Sequence, residues 1–246
     1  MNYKSINDLS NDIKNNLHKI PKNVSLVVGI PRSGLLAANL LSLYLHVPLT
    51  DLDSFLKKQI LSTGFRGRQT DSSPFDGKIL IVDDSLCTGD SILEAKKRIE
   101  NNSKFNKDQI IFCCVYVSPV NNDKTDISLV SLEMPRVFEW NIFHHKVLND
   151  ACMVVEGVLL KHKDIHVAND INLKSKTFTN PYILPKVYIN TLISEKPERD
   201  RKLLEDWLIH FNIKYGNLIM IGNEGFTNII NTDIAYKKAE IFKSNN

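Results

Sequence analysis

The residues best suited to chemistry lie between Lys78 and Ile92, in the order K-I-L-I-V-D-D-S-L-C-T-G-D-S-I. An apolar run ends in Asp83 and Asp84, and Thr88-Gly89-Asp90-Ser91 then opens a helix. In a parallel sheet this pattern sets two carboxylates at the C-terminal end of a strand, where open α/β sheets bind ligands. The following loop turns backbone N–H groups and a helix N-terminus toward one point, and both favour an anion such as phosphate. Thr88, Ser91 and Ser85 can add hydroxyl donors, and Gly89 lets the backbone come close. Ser85, Leu86, Cys87, Thr88, Gly89, Asp90 and Ser91 thus form a candidate phosphate cradle, with acceptors for vicinal hydroxyls beside it. A ribose 5-phosphate carries both groups. The bland alternative is a generic strand-loop-helix with surface aspartates. A Walker A loop needs a lysine after its second glycine; Asp90 follows Gly89 here, which disfavours nucleoside triphosphates.

A second turn follows the apolar run that ends at Ile30. Pro31, Arg32, Ser33 and Gly34 lead from it into the helical stretch Leu35 to Leu45. Arg32 supplies a fork of donors matched to phosphate oxygens, and N–H groups near Ser33 and Gly34 supply more. Taken alone, Pro-Arg-Ser-Gly is also an ordinary turn. Between residues 53 and 76 the chain is polar, with Gly64, Gly67, Pro74 and the basic residues Lys57, Lys58, Arg66 and Arg68; a mobile loop is expected.

The whole pattern, with T-G-x-S at this offset from the aspartate pair, resembles the signature of type I phosphoribosyltransferases over about residues 20–120. The resemblance implies a parallel sheet of about five strands with helices on both faces and a small hood. It implies 5-phosphoribosyl-1-pyrophosphate (PRPP) with Mg²⁺ as the donor. Asp83 and Asp84 would hold the 2- and 3-hydroxyls, lend negative charge beneath a cationic sugar and share in holding Mg²⁺, whose other ligands are mostly donor and water oxygens. The loop from Ser85 to Ser91 would hold the 5-phosphate. Pro31, Arg32, Ser33, Gly34 and Lys58 would hold pyrophosphate, and a basic loop carrying Arg66 as the catalytic candidate would close over it.

The join near residue 145 adds a second resemblance. Val137 to His145, followed by Ala151 to Leu159, resembles the junction between a phosphoribosyltransferase and a haloacid-dehalogenase-type phosphatase in bacterial polysaccharide systems. That phosphatase family has D-x-D-G-V-L here, with a nucleophilic first aspartate. This chain has Val154 and Glu156 at those places, and a valine cannot attack phosphorus. The strand Leu218 to Ile221 and the helix with Lys237 and Lys238 match later elements, and the chain stops at Asn246 before the expected acidic loop. Residues 1–145 are therefore expected to form the transferase domain, and 146–246 a smaller, degenerate and incomplete phosphatase-like α/β domain. His144 and His145 raise a metal or general-base reading. Neighbours on regular structure rarely face the same way, so a structural role at the junction is preferred. Glu139 and Trp140 are candidates for the acceptor pocket.

These sites need a scaffold. The periodicity predicts a helix over 3–20, strands near 25–30, 46–52, 78–82 and 109–117, and a helix to about residue 101. A strand at 151–160, a polar stretch over 161–197, a helix at 198–211, a strand at 217–221 and a terminal helix at 233–242 follow. The alternation argues for a parallel α/β sheet. With 246 residues and 43% apolar content, one large or two small domains can each bury a core. A net charge of +3 without a basic stripe gives no nucleic-acid footprint. Four cysteines, none in C-x-x-C, give no zinc or dithiol pattern. There is no secretory signal or membrane span, so a cytoplasmic enzyme is expected. The acceptor expected from the junction is a glycan hydroxyl. A nucleobase is the alternative, and a non-catalytic PRPP-sensing regulator is a reading of another class. A homodimer and a separate phosphatase are compatible partners.

Overall fold

A computed structural model describes residues 2–61, 73–102, 105–160, 180–222 and 231–244. The chain divides into two compact units, Met1–Trp140 and Asn141–Asn246.

The first unit opens with β1 (Asn2–Lys4) and α1 (Ile6–Asn15). The single helix expected over 3–20 is thus shortened at both ends. Ser5 caps α1, its hydroxyl accepting from the Asp8 N–H while the Asp8 carboxylate accepts from Ser5 N–H, so the helix cannot begin earlier. Then come β2 (Val24–Gly29), α2 (Gly34–Leu45), β3 (Leu49–Asp51) and α3 (Leu52–Leu56). The short helix α3 occupies the start of the expected loop. Asp51 caps it, accepting from the Ser54 N–H at 3.0 Å, and Leu52 and Phe55 bury its inner face. Next are β4 (Lys78–Leu86), α4 (Asp90–Glu100), β5 (Ile110–Val117), β6 (Ile127–Ser131) and β7 (Arg136–Phe138).

Strands β3-β2-β4-β5-β6 form one parallel sheet in that order. Its strands are apolar on both faces because both faces are covered. Along β4, Leu80 and Val82 join the core beneath α1 and α2, whereas Ile79 and Ile81 join the core beneath α4. From β2 the chain crosses outward to β3, then returns to pair β4 with the other edge of β2. The direction of winding reverses between β2 and β4, which opens a crevice at their C-terminal ends. β1 and β7 pair as a separate two-stranded parallel ribbon.

The second unit follows α5 (Glu139–Ile142), which spans the division. It has β8 (Cys152–Val154), β9 (Ile189–Pro197), α6 (Arg201–His210), β10 (Tyr215–Gly222) and α7 (Asn231–Ser244). The three strands form a parallel sheet in the order β10-β9-β8. Two expectations need correction. The strand expected over 151–160 ends at Val154, and the chain then turns through Gly157 at φ 85°. The polar stretch 161–197 hides β9, whose Ile189, Leu192 and Ile193 are fully buried. Among the described residues, no helix is long and apolar enough to cross a membrane.

Candidate functional site

Strand β4 runs on past the expected end at residue 82, so Asp83 and Asp84 lie within it. Ser85 and Leu86 still pair with Tyr116 and Val117 of β5. Both carboxylates are buried, Asp83 at 7% and Asp84 at 2% exposure. The Asp84 N–H donates to Asp83 Oδ1 at 3.0 Å. Burial pushes the Asp83 carboxyl up to about 8, and the neighbouring Asp84 carboxylate adds to the rise. The pair is strongly disfavoured with both groups charged.

Beyond Leu86 the chain bends round a cavity of about 110 Å³ lined by Asp83, Ser85–Ile92. The Leu86 side chain is buried in the core, so that residue offers the cavity its backbone. Cys87, Thr88, Asp90 and Ser91 are exposed. Gly89 stands at the N-terminus of α4 with φ 91°, a left-handed conformation that suits glycine. The Thr88 hydroxyl donates to the Asp90 carboxylate at 2.7 Å, which fixes the turn into the helix. The cradle residues expected from the sequence therefore line one cavity together with Asp83.

The Pro31–Gly34 turn leaves β2 beside the end of β4. Ile30 N–H donates to the Val82 carbonyl at 2.9 Å. A Cβ at Gly34 would meet the Val82 carbonyl at 2.8 Å and Asp83 Oδ1 at 3.0 Å, so only glycine lets α2 start this close to the carboxylate. The Pro31–Arg32 peptide bond is cis, and both residues are exposed. Lys57 and Lys58 follow α3 and are exposed, Lys58 with φ 58°. Arg66 and Arg68, and most of the expected closing loop, lie outside the described residues.

Trp140 is brought to the aspartate pair. Its indole Nε1 donates to Asp84 Oδ2 at 2.7 Å. Its ring stacks on Phe138 at 4.9 Å between centroids, and Phe138 packs on Tyr116 at 5.3 Å. The Tyr116 hydroxyl continues the chain of contacts to Asp12 at 2.8 Å; burial and that carboxylate raise its pKa. Glu139, the other acceptor candidate, points its carboxylate at the Ile6 N–H at the start of α1, 2.8 Å away. His145 Nδ1 accepts from the Val147 N–H at 3.1 Å, capping a short turn, and His144 is exposed.

Three residues that sequence reasoning missed hold the cradle from outside it. Arg136 donates to the Leu86 carbonyl, Asn121 Nδ2 to the Cys87 carbonyl at 2.8 Å, and Lys124 Nζ to the Thr88 carbonyl at 2.7 Å. They come from β7 and from the turn Pro119–Lys124, and no local motif marks them.

In the second unit, Val154 is half-buried at the end of β8. Glu156 is buried at 3% exposure and accepts from the Ser194 hydroxyl at 2.7 Å and the Glu195 N–H at 2.9 Å. Lys238 pairs with Glu195, and Lys237 Nζ donates to the Ile221 carbonyl at 3.3 Å.

Among solved structures, the chain is similar to a purine phosphoribosyltransferase from Pyrococcus horikoshii Ot3, at 20% identity over 57% of this chain and 95% of that one, with a TM-score of 0.35. It is also similar to the xanthine-guanine-hypoxanthine phosphoribosyltransferase of Helicobacter pylori, at 16% identity over 57% of this chain and 92% of that one, with a TM-score of 0.40. No curated protein matches it. Residues 2–149, more than half of the chain, match the phosphoribosyl transferase domain, so the chain belongs to the phosphoribosyltransferase family and is a transferase enzyme.

Proposed function

We propose that the chain transfers the 5-phosphoribosyl group of PRPP to an acceptor hydroxyl and releases pyrophosphate. The observation that carries this reading is that Asp83 adjoins two anion-suited loops across the β2–β4 switch point: it lines the cavity of residues 85–92 and touches Gly34 of the 31–34 turn. A donor with a phosphate at one end, a diphosphate at the other and vicinal hydroxyls between them matches that arrangement. The 85–91 loop holds the 5-phosphate, the 31–34 turn with Lys58 holds pyrophosphate, and Asp83 and Asp84 accept from the sugar hydroxyls. The bond from the anomeric carbon to the diphosphate oxygen breaks as the acceptor oxygen bonds to that carbon. The acceptor proton leaves to solvent or to a carboxylate. The sugar becomes oxocarbenium-like, so catalysis is a matter of positioning and electrostatics.

The residues fit Mg²⁺. Among the described residues no cluster of three or more His, Cys, Asp or Glu side chains is found, and Asp83 and Asp84 are the carboxylates placed beside the cradle. That suits a cation that keeps most of its ligands from donor and water, and neutralises the charge of the departing diphosphate.

The acceptor proposed is a glycan hydroxyl. The support is the sequence resemblance at the junction: Val154, at the end of β8, and buried Glu156, just beyond it, stand where the resembled phosphatase sequence has its D-x-D. We read that unit as a phosphatase-like remnant of residues 146–246, paired with a transferase of ribofuranosyl chemistry. A nucleobase acceptor is the second reading, favoured by the aromatic stack that ends in Trp140 beside Asp84.

Titration calorimetry with Mg²⁺ should show binding of PRPP and none of ATP. ATP binding without PRPP binding would overturn the donor assignment. Mass spectrometry after incubation with PRPP and a panel of saccharides and nucleobases then decides the acceptor: a phosphoribosylated base in place of a saccharide rejects the glycan reading.

A further inference from the structure

Three consecutive carbonyl oxygens, those of Leu86, Cys87 and Thr88, are each bound by a donor from elsewhere in the first unit: Arg136, Asn121 and Lys124. A trans peptide is planar, and its N–H points opposite its C=O. Each bound carbonyl therefore turns the N–H of the next residue, Cys87, Thr88 or Gly89, away from the donor that holds it. These three residues line the cavity. Among the described residues no backbone carbonyl accepts from those three N–H groups. Consecutive N–H groups aimed into one hollow make an anion site, and they are ordered before the anion arrives.

The brace is itself anchored. Lys96 of α4 donates to the Lys124 carbonyl at 3.0 Å while its ammonium lies 5.0 Å from the Phe112 ring centre. Arg136 also reaches the Tyr116 and Leu132 carbonyls at 3.4 Å, and its guanidinium lies over the Phe138 ring. Two of the three braces are cations, so they add positive potential behind the loop as well as holding it. The fit at Lys124 is close: a Cβ at Gly89 would stand 2.9 Å from Lys124 Cδ.

We propose that Asn121, Lys124 and Arg136 are positioning residues for 5-phosphate binding, acting through the carbonyls of residues 86–88 and without touching the ligand. This rests on the reading that the 85–91 loop receives the 5-phosphate of PRPP.

The test uses the full chain, with ribose 5-phosphate and inorganic pyrophosphate titrated separately by calorimetry. Asn121 and Lys124 are partly exposed in a surface turn, so Asn121→Leu and Lys124→Met are suitable variants; thermal melting checks that they fold. Each should weaken ribose 5-phosphate binding about tenfold, the size expected for one lost charge-assisted or well-placed hydrogen bond. Pyrophosphate binding should be unchanged, and Lys124→Arg should restore most of the loss. Gly89→Ala, which displaces the Lys124 stem, should show the same selective loss. Wild-type affinity for ribose 5-phosphate in Asn121→Leu and Lys124→Met overturns the proposal and leaves the donor assignment standing. Equal loss for both ligands also overturns it, because the brace would then act on the whole unit. Failure of the wild-type protein to bind ribose 5-phosphate or PRPP removes the donor assignment itself, and the proposal with it.

Discussion

Replacing Asp83 by Asn is expected to stabilise the first unit while abolishing transfer. Burial, with Asp84 beside it, raises the Asp83 carboxyl from 3.8 to about 8. In the unfolded chain it returns to the lower value. For a group raised in this way, the stabilising contribution is complete below the unfolded pKa. It is lost as pH climbs through the folded one, because the unfolded chain releases a proton that the folded chain retains. The window here runs from about 4 to about 8. Each pH unit within it is worth about 1.4 kcal/mol, so about 4 kcal/mol has been lost by pH 7. Asn removes the titration and keeps the contact: its carbonyl oxygen can still accept from the Asp84 N–H, now at 3.0 Å from Asp83 Oδ1. Its amide can also donate to the Asp84 carboxylate. Urea unfolding in EDTA, followed by Trp140 fluorescence in a Trp207→Phe background, isolates the first unit's transition, since Trp207 belongs to the second. The variant should match wild type at about pH 4 and exceed it by several kcal/mol at about pH 7. A variant no more stable than wild type at neutral pH, or a difference that does not vary with pH, refutes the argument.

Two further outcomes follow from single contacts. Trp140→Phe keeps the ring over Phe138 but removes the bond to buried Asp84; a hydrogen bond to a charged group is worth about 1.5–3 kcal/mol, so kcat/KM should fall by about tenfold to a hundredfold, and steady-state kinetics equal to wild type would remove Trp140 from the site. The second unit should release no phosphate from p-nitrophenyl phosphate with Mg²⁺, because Val154 offers no nucleophile and Glu156 is engaged by Ser194 and the Glu195 N–H; release that vanishes in Glu156→Gln would make that unit a working phosphatase.

The sheet was legible because its chemistry is local. The apolar run of β4 and the Thr88–Ser91 helix start each appear within one short window, and so does the Pro31–Gly34 turn. The hidden parts depend on partners far along the chain. Asn190, Thr191 and Ser194 interrupt the apolar pattern of β9, yet Thr191 is fully buried between β8 and β10 and Ser194 is fully buried beside β10. β1 went unseen because a three-residue strand has no period to detect; it exists by pairing with β7, more than a hundred residues away. The braces on the cradle are invisible for the same reason. Asn121, Lys124 and Arg136 look like ordinary surface polar residues until β5 and β7 bring them behind the loop.

The aspartate pair shows most directly why the site is built for a ligand. Two adjacent carboxylates at 7% and 2% exposure would ordinarily be compensated by a buried cation. Among the described residues, no Lys, Arg or His forms an ion pair with either. The neighbours that do reach them are neutral: the Trp140 indole on Asp84, and the Asp84 N–H on Asp83. A fold selected for stability alone would place Asn or an apolar residue at Asp83 and gain by it. The missing positive charge is what a cation-bearing donor and an oxocarbenium-like sugar would bring, and they would bring it most fully at the transition state. That positive charge would offset the repulsion that raises the Asp83 carboxyl, and so would favour ionised carboxylates where the sugar charge develops, which is where negative charge lowers the barrier. PRPP with Mg²⁺ should therefore stabilise wild type more than Asp83→Asn, narrowing the difference expected in EDTA; equal stabilisation of the two proteins would refute this.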